Sequence, residues 1–170
     1  MNRALSFWDC LNLKLTISEF YYELGCAAGE IMSIYALFDY PHTVSVDDID
    51  ELEHAGNFHY IKWMQHAAIA HSTANGWSAE RYIDLGAGWV VRSHKITYLK
   101  PAFEGDELVI RTWVASARAA SSVRMYKILK ANDELLAHAE TEWAFVNFER
   151  QRPVRIPPEV ASCFEMISQP

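Results

Sequence analysis

Between positions 48 and 63 the chain reads Asp48-Ile49-Asp50-Glu51-Leu52-Glu53-His54-Ala55-Gly56-Asn57-Phe58-His59-Tyr60-Ile61-Lys62-Trp63. Carboxylates and an imidazole therefore stand just ahead of a segment that reads as a helix. The first N–H groups of a helix have no intrahelical partner and carry the positive end of its dipole, so they stabilise negative charge developing on a nearby oxygen. A carboxylate base or nucleophile beside such a helix start is what acyl transfer needs. Spacing alone leaves a second reading open: Asp and Asn here serve only as turn and capping residues, with Asn57 as the helix N-cap.

The elements that must hold this loop follow from the pattern around it. Residues 33–46 are rich in β-branched and aromatic residues and predict a strand, with Pro41 marking an edge or a bulge. Residues 57–75 predict a long helix stopped by Asn75-Gly76. Its apolar positions, Tyr60, Ile61, Trp63, Met64, Ala67, Ala68, Ala70 and Ala74, leave only a narrow polar stripe of His59, Lys62 and His66, so most of the helix is covered. His59, His66 and His71 lack partners at ligand spacing and read as polar-face or satisfied core groups. Beyond a connection over 77–88, period-two alternation predicts strands over 89–99, 107–117, 122–129 and 137–148, with turns at Gly105-Asp106 and Asn132-Asp133. Residues 159–167 read as a short terminal helix.

One strand, a buried helix and then four strands joined by tight turns define an α+β fold, an antiparallel sheet wrapped around one helix. Edge strands in such a sheet complete their pairing with a second copy, which predicts at least a dimer. The domain is expected over 32–160, with 161–170 as a tail and 1–31 as an N-terminal extension, for which two readings stand: an amphipathic helix packing on the domain, or, the reading favoured, an over-extended start ahead of Met32.

Composition excludes several classes. Half of the 170 residues are apolar (51%) and 13% are aromatic, which rules out wholesale disorder. A net charge of -7 argues against a grip on nucleic acid or an anionic membrane, and no run of eighteen apolar residues is present. Cys10, Cys26 and Cys163 are too few and too scattered for a disulfide framework or a zinc site, which points to the cytoplasm. Asp48-x-Asp50 is not a calcium loop, because Leu52 stands where the third oxygen ligand belongs.

The run from Asp48 to Trp63 resembles the signature of hot-dog-fold acyl thioesterases, namely the 4-hydroxybenzoyl-CoA thioesterase group and the plant-type acyl-ACP thioesterases. Their D-x-D, a Gly/His-containing turn and N-x-x-Y correspond to Asp48, Asp50, His54, Asn57, Tyr60 and Trp63. Ile96–Ala102, Gly105–Leu108, Ala139–Val146 and Arg152–Pro157 also resemble family blocks, so the likeness runs over about 36–160.

The resemblance implies acyl-CoA hydrolysis to free acid and CoA, with no metal or redox cofactor and CoA entering only as part of the substrate. It implies Asp50 as nucleophile or general base, His54 as the histidine of the acyl-ACP branch, and a backbone N–H near Asn57 and Phe58 polarising the thioester carbonyl. Phe58 and Tyr60 fall at the acyl site. Arg118, with Ser121 beside it, falls on a residue that meets the CoA phosphates. Three departures bear on subtype: Glu53 replaces the glycine of the CoA branch, Leu52 the asparagine of the acyl-ACP branch, and Ala120 a phosphate-binding lysine. An acyl-ACP thioesterase and a non-catalytic acyl-CoA-binding module are the alternatives, and a homodimer or tetramer is expected.

Overall fold

The computed structural model describes residues 35–168, so the N-terminal segment 1–31 discussed above lies outside the described residues. The elements, in chain order, are β1 (Leu37–Thr43), α1 (Asn57–Ala74), α2 (Ala79–Leu85), β2 (Ala87–Tyr98), β3 (Glu107–Ala117), β4 (Ser121–Lys130), β5 (Leu135–Asn147), β6 (Arg152–Pro153) and α3 (Pro158–Ala161). One antiparallel sheet has the order β1-β3-β4-β5-β2, with the two-residue β6 beside β5. Tight turns between β3, β4 and β5 make sequence neighbours into sheet neighbours, as expected for short connections.

The sheet encloses α1 through a single apolar cluster. Trp63, Met64, Ala67 and Ala68 of the helix pack with Leu108 and Ile110 of β3, Tyr126 and Ile128 of β4, and Ala137 and Ala139 of β5. These strand positions are spaced by two, so each strand presents one face to the helix. The small residues Ala67, Ala68, Ala137 and Ala139 let helix and sheet approach closely. β2 and β1 are the edges of the sheet, and β2 pairs with β5 over Ala87 to Tyr98 through one register shift at Val91/Ser93.

Three local features differ from the sequence reading. Asn57 is the first helical residue and Gly56 the N-cap, with extended backbone (φ -65°, ψ 145°) and no side-chain cap. The connection 77–88 contains α2, capped by Ser78 and ended by Gly86 at φ 69°. Its seven residues are too short to display a helical period in the sequence. Helix α3 covers only Pro158–Ala161; beyond it Phe164 packs edge-on against His71 and Ile167 N–H donates to Val114 O at 3.1 Å, so this segment lies along the domain.

Arg124 is buried on the inner face of β4. Its Nη1 donates to His71 Nδ1 at 2.7 Å and to Thr112 Oγ1 at 3.3 Å. An acceptor role at Nδ1 leaves the proton on Nε2, which donates to Tyr35 O at 2.6 Å. His71 is thus the satisfied core histidine that the sequence suggested. Burial and the Arg124 charge lower its pKa to about 4.

Candidate active site

The loop ahead of α1 is built by its own backbone. Gly56 N–H donates to Asp48 O (2.9 Å), Asp50 N–H to His54 O (2.9 Å) and Glu53 N–H to Asp50 O (3.1 Å), while Ile49 and Ala55 form an isolated bridge. The turn requires a left-handed residue, and Glu53 adopts φ 61°. Glutamate therefore holds a conformation that glycine adopts at no steric cost. The loop is clamped from outside by the fully buried Ala102: Ala55 N–H donates to Ala102 O at 2.8 Å, and Ala102 N–H donates to Tyr60 Oη at 3.2 Å.

The two aspartates at the loop mouth point in opposite senses. Asp48 is buried; its Oδ2 accepts from Ser45 N and Ser45 Oγ, both at 3.0 Å, closing a capping box on the 3-10 turn Val46–Asp48. Its Oδ1 lies 2.8 Å from His59 Nδ1, and Oδ2 lies 3.4 Å from His42 Nε2. In both close contacts the ring nitrogen is not aligned as a hydrogen-bond donor. Burial alone would raise the Asp48 pKa, but the Ser45 bonds and the two histidines outweigh it and hold it below the ordinary value. Burial lowers the His42 pKa, against the opposing pull of Asp48.

Asp50 keeps a 38% exposed carboxylate. Oδ1 accepts from Leu52 N–H at 2.9 Å and lies 3.5 Å from His54 Nδ1. Oδ2 faces Gly56, 3.5 Å from the position a Cβ would take there. A negatively charged oxygen is therefore held at the N-cap of α1, where the free helix amides begin.

The other residues singled out in the sequence divide into two groups. Asn57 and Phe58 are exposed at the helix start, and Asn57 O accepts from Tyr98 Oη at 3.3 Å. Tyr60 is 2% exposed and braces the loop through Ala102 beneath the site. Arg118 and Ser121 lie in the β3–β4 turn, where Arg118 N–H donates to Ser121 O at 2.7 Å. With Ser116, Ser122, Val123 and Glu142 they line a pocket of about 120 Å³. This turn is at the opposite end of β3 from the Asp50 loop, about 30 Å away along the strand at the usual rise per residue. One chain thus gathers Asp50, His54 and the amides of Asn57 and Phe58, but not Arg118 and Ser121. The His59–Asp48 contact was not anticipated; its signal was a histidine at the third helical position, from which a side chain folds back toward the preceding loop.

A curled antiparallel sheet around one helix, with a carboxylate at that helix's N-cap, defines the hot-dog thioesterase class. Residues 35–164 match the family model described as the acyl-ACP thioesterase N-terminal domain, and the chain belongs to that family. It is 26% identical over 129 residues to the acyl-CoA thioester hydrolase YbgC of Escherichia coli O6:H1 and to that of Shigella flexneri, covering 76% of this chain and 96% of each relative.

Solved structures agree on the fold. The 1,4-dihydroxy-2-naphthoyl-CoA thioesterase Slr0204 of Synechocystis superposes with a TM-score of 0.71 at 20% identity, over 79% of this chain and 99% of that one. Staphylococcus aureus SAV2348, solved in complex with CoA, gives 0.72 at 16% identity, over 85% and 94%. A Lactobacillus plantarum protein assigned as an oleoyl thioesterase gives 0.73 at 21% identity over 78% of this chain, which spans only 53% of that longer protein. Among the described residues no helix is long and apolar enough to cross a membrane.

Proposed function

We propose that this enzyme hydrolyses acyl-CoA thioesters to the free acid and CoA, with Asp50 as nucleophile or general base. The observation that carries the reading is the Asp50 carboxylate seated against Gly56 at the start of α1. A thioester carbonyl directed at the amides of Asn57 and Phe58 is polarised there, and its carbon meets Asp50. His54, 3.5 Å from Asp50 Oδ1, orients the carboxylate or the attacking water. The thiolate leaves readily, so the reaction calls on no metal or redox cofactor in this reading.

Net charge -7 favours CoA over the acidic acyl carrier protein as the acyl donor. The carrier protein is the second reading, favoured by the family match itself. In a homodimer joined at the free edge of β2, the partner's Arg118 and Ser121 supply the phosphate contacts that the same chain holds far from its own Asp50. A tetramer is a pair of such dimers, working in the cytoplasm.

The test is thiol release from a panel of acyl-CoAs and acyl carrier proteins by wild type and Asp50→Asn. Hydrolysis by the wild type with a kcat loss of roughly 10²–10⁴ in the variant is expected. Near-normal turnover by a folded Asp50→Asn enzyme would refute the role of Asp50. Tight binding without thiol release identifies an acyl-CoA-binding module instead.

A further inference from the structure

We infer that His59 is the proton acceptor for the hydrolytic water at the Asp50 site, oriented for that task by the buried carboxylate of Asp48. This rests on thioester hydrolysis at Asp50 and assigns to Asp50 itself the attack on the acyl carbon.

The argument begins with Asp48. Its capping box uses Oδ2 alone, since both Ser45 bonds end on that atom. Oδ1 is left facing His59 Nδ1 at 2.8 Å, and the Asp48 side chain is only 5% exposed. A buried carboxylate oxygen is costly unless something meets it. Here the His59 ring lies against it without an aligned hydrogen bond, and the close contact positions the ring.

With Nδ1 turned toward Asp48, the ring presents Cδ2, the carbon bonded to Nε2, toward Gly56. His59 Cδ2 and Asp50 Oδ2 are each 3.5 Å from the same point, the position of a Cβ on residue 56, so they are less than about 7 Å apart. The His59 side chain is 22% exposed. The charged and titratable groups around it are Asp48 from the 3-10 turn, Asp50 from the loop and His42 from β1, with Lys62 of α1 close to His42. Imidazole is the side chain most often used as a general base.

The steps balance as follows. An Asp50 oxygen bonds to the acyl carbon, the C–S bond breaks with its electron pair on sulfur, and the thiolate takes a proton from solvent. Water then bonds to the acyl carbon while Nε2 of His59 removes its proton. The acyl–Asp50 bond breaks, the acid leaves, the carboxylate is restored, and His59 returns its proton to solvent.

Rapid-mixing thiol-release kinetics with wild type, His59→Gln, His59→Asn and Asp50→Asn test this on a substrate the wild type turns over. Slowing only the second stage makes both His59 variants release a burst of about one thiol per active site, followed by turnover about 100-fold slower or worse. Asp50→Asn gives no burst, and its turnover falls by roughly 10²–10⁴. Wild-type turnover in the His59 variants, or slow turnover without a burst in variants that unfold like wild type, overturns the inference, because a structural role would slow both stages. If the wild type releases no thiol from any substrate, the hydrolase reading has failed, and with it the base role.

Discussion

The Asp50 carboxylate and the Gly56 Cα are packed against each other, so that a Cβ on residue 56 would lie 3.4 Å from Asp50 Cβ and 3.5 Å from Asp50 Oδ2. These are ordinary contact distances, and φ -65° suits any residue. Gly56→Ala is therefore expected to fold, at a cost of about 1 kcal/mol for a poorer N-cap. Its methyl would occupy the space between Asp50 and the helix amides, so kcat/KM should fall about 10- to 100-fold. Thermal unfolding and thiol-release kinetics on the same preparation separate the two effects; unchanged kinetics would remove the helix start from the site.

Glu53 sits in the left-handed region at φ 61° and is exposed. That conformation costs a side-chain-bearing residue about 1–2 kcal/mol, partly offset by the extra freedom glycine has in the unfolded chain. Glu53→Gly should raise stability by roughly 0.5–1 kcal/mol, whereas the β-branched Glu53→Val should lower it. Urea denaturation of the two variants checks the sign of each change.

Tyr60 Oη accepts the buried Ala102 N–H, and the adjacent Ala102 O holds Ala55 of the loop ahead of α1. Tyr60→Phe leaves that N–H without a partner, a loss of about 1–3 kcal/mol. Because the clamp beside the loop loosens, the turnover number should fall along with the denaturation midpoint. A stability loss with intact kinetics would show that the loop holds its shape without this clamp.

Acid should destabilise the fold through His71. Its folded pKa of about 4 lies below the ordinary 6.5, so the unfolded chain binds the proton more readily. The stabilising contribution is complete above pH 6.5 and is lost progressively as the pH falls toward 4. It amounts to about 3 kcal/mol at one pKa unit per 1.4 kcal/mol. His42, His66 and His94, also lowered by burial, act in the same direction. Denaturation at a series of pH values should give a shallower slope for His71→Gln between 6.5 and 4 than for wild type.

The helix from Asn57, the four alternating strands of the second half and the loop ahead of the helix are all legible in the amino-acid order. Each rests on near-neighbour physics: a 3.6 or 2 residue period, a Gly or Asn-Asp turn, an Asn-Gly stop. Trp63 and Met64 were recognisable as core for the same reason, and both are buried. Helix α2 escaped because it is too short for a period to emerge. Gly56 rather than Asn57 became the cap because Asp48 O and Asp50 already occupy the turn around it.

What the sequence by itself determined is a carboxylate-bearing loop delivered to a helix start in an α+β domain. Only the tertiary structure decided which aspartate faces outward: Asp48 is drawn inward by Ser45, His42 and His59, and Asp50 is left at the helix tip. It likewise turned Arg124 into the core against His71 and placed the Arg118–Ser121 turn at the far end of β3. Local patterns specify elements because their forces act over a few residues. The direction of a single side chain depends on partners supplied by strands that are distant in sequence, and these meet only when the sheet closes around the helix.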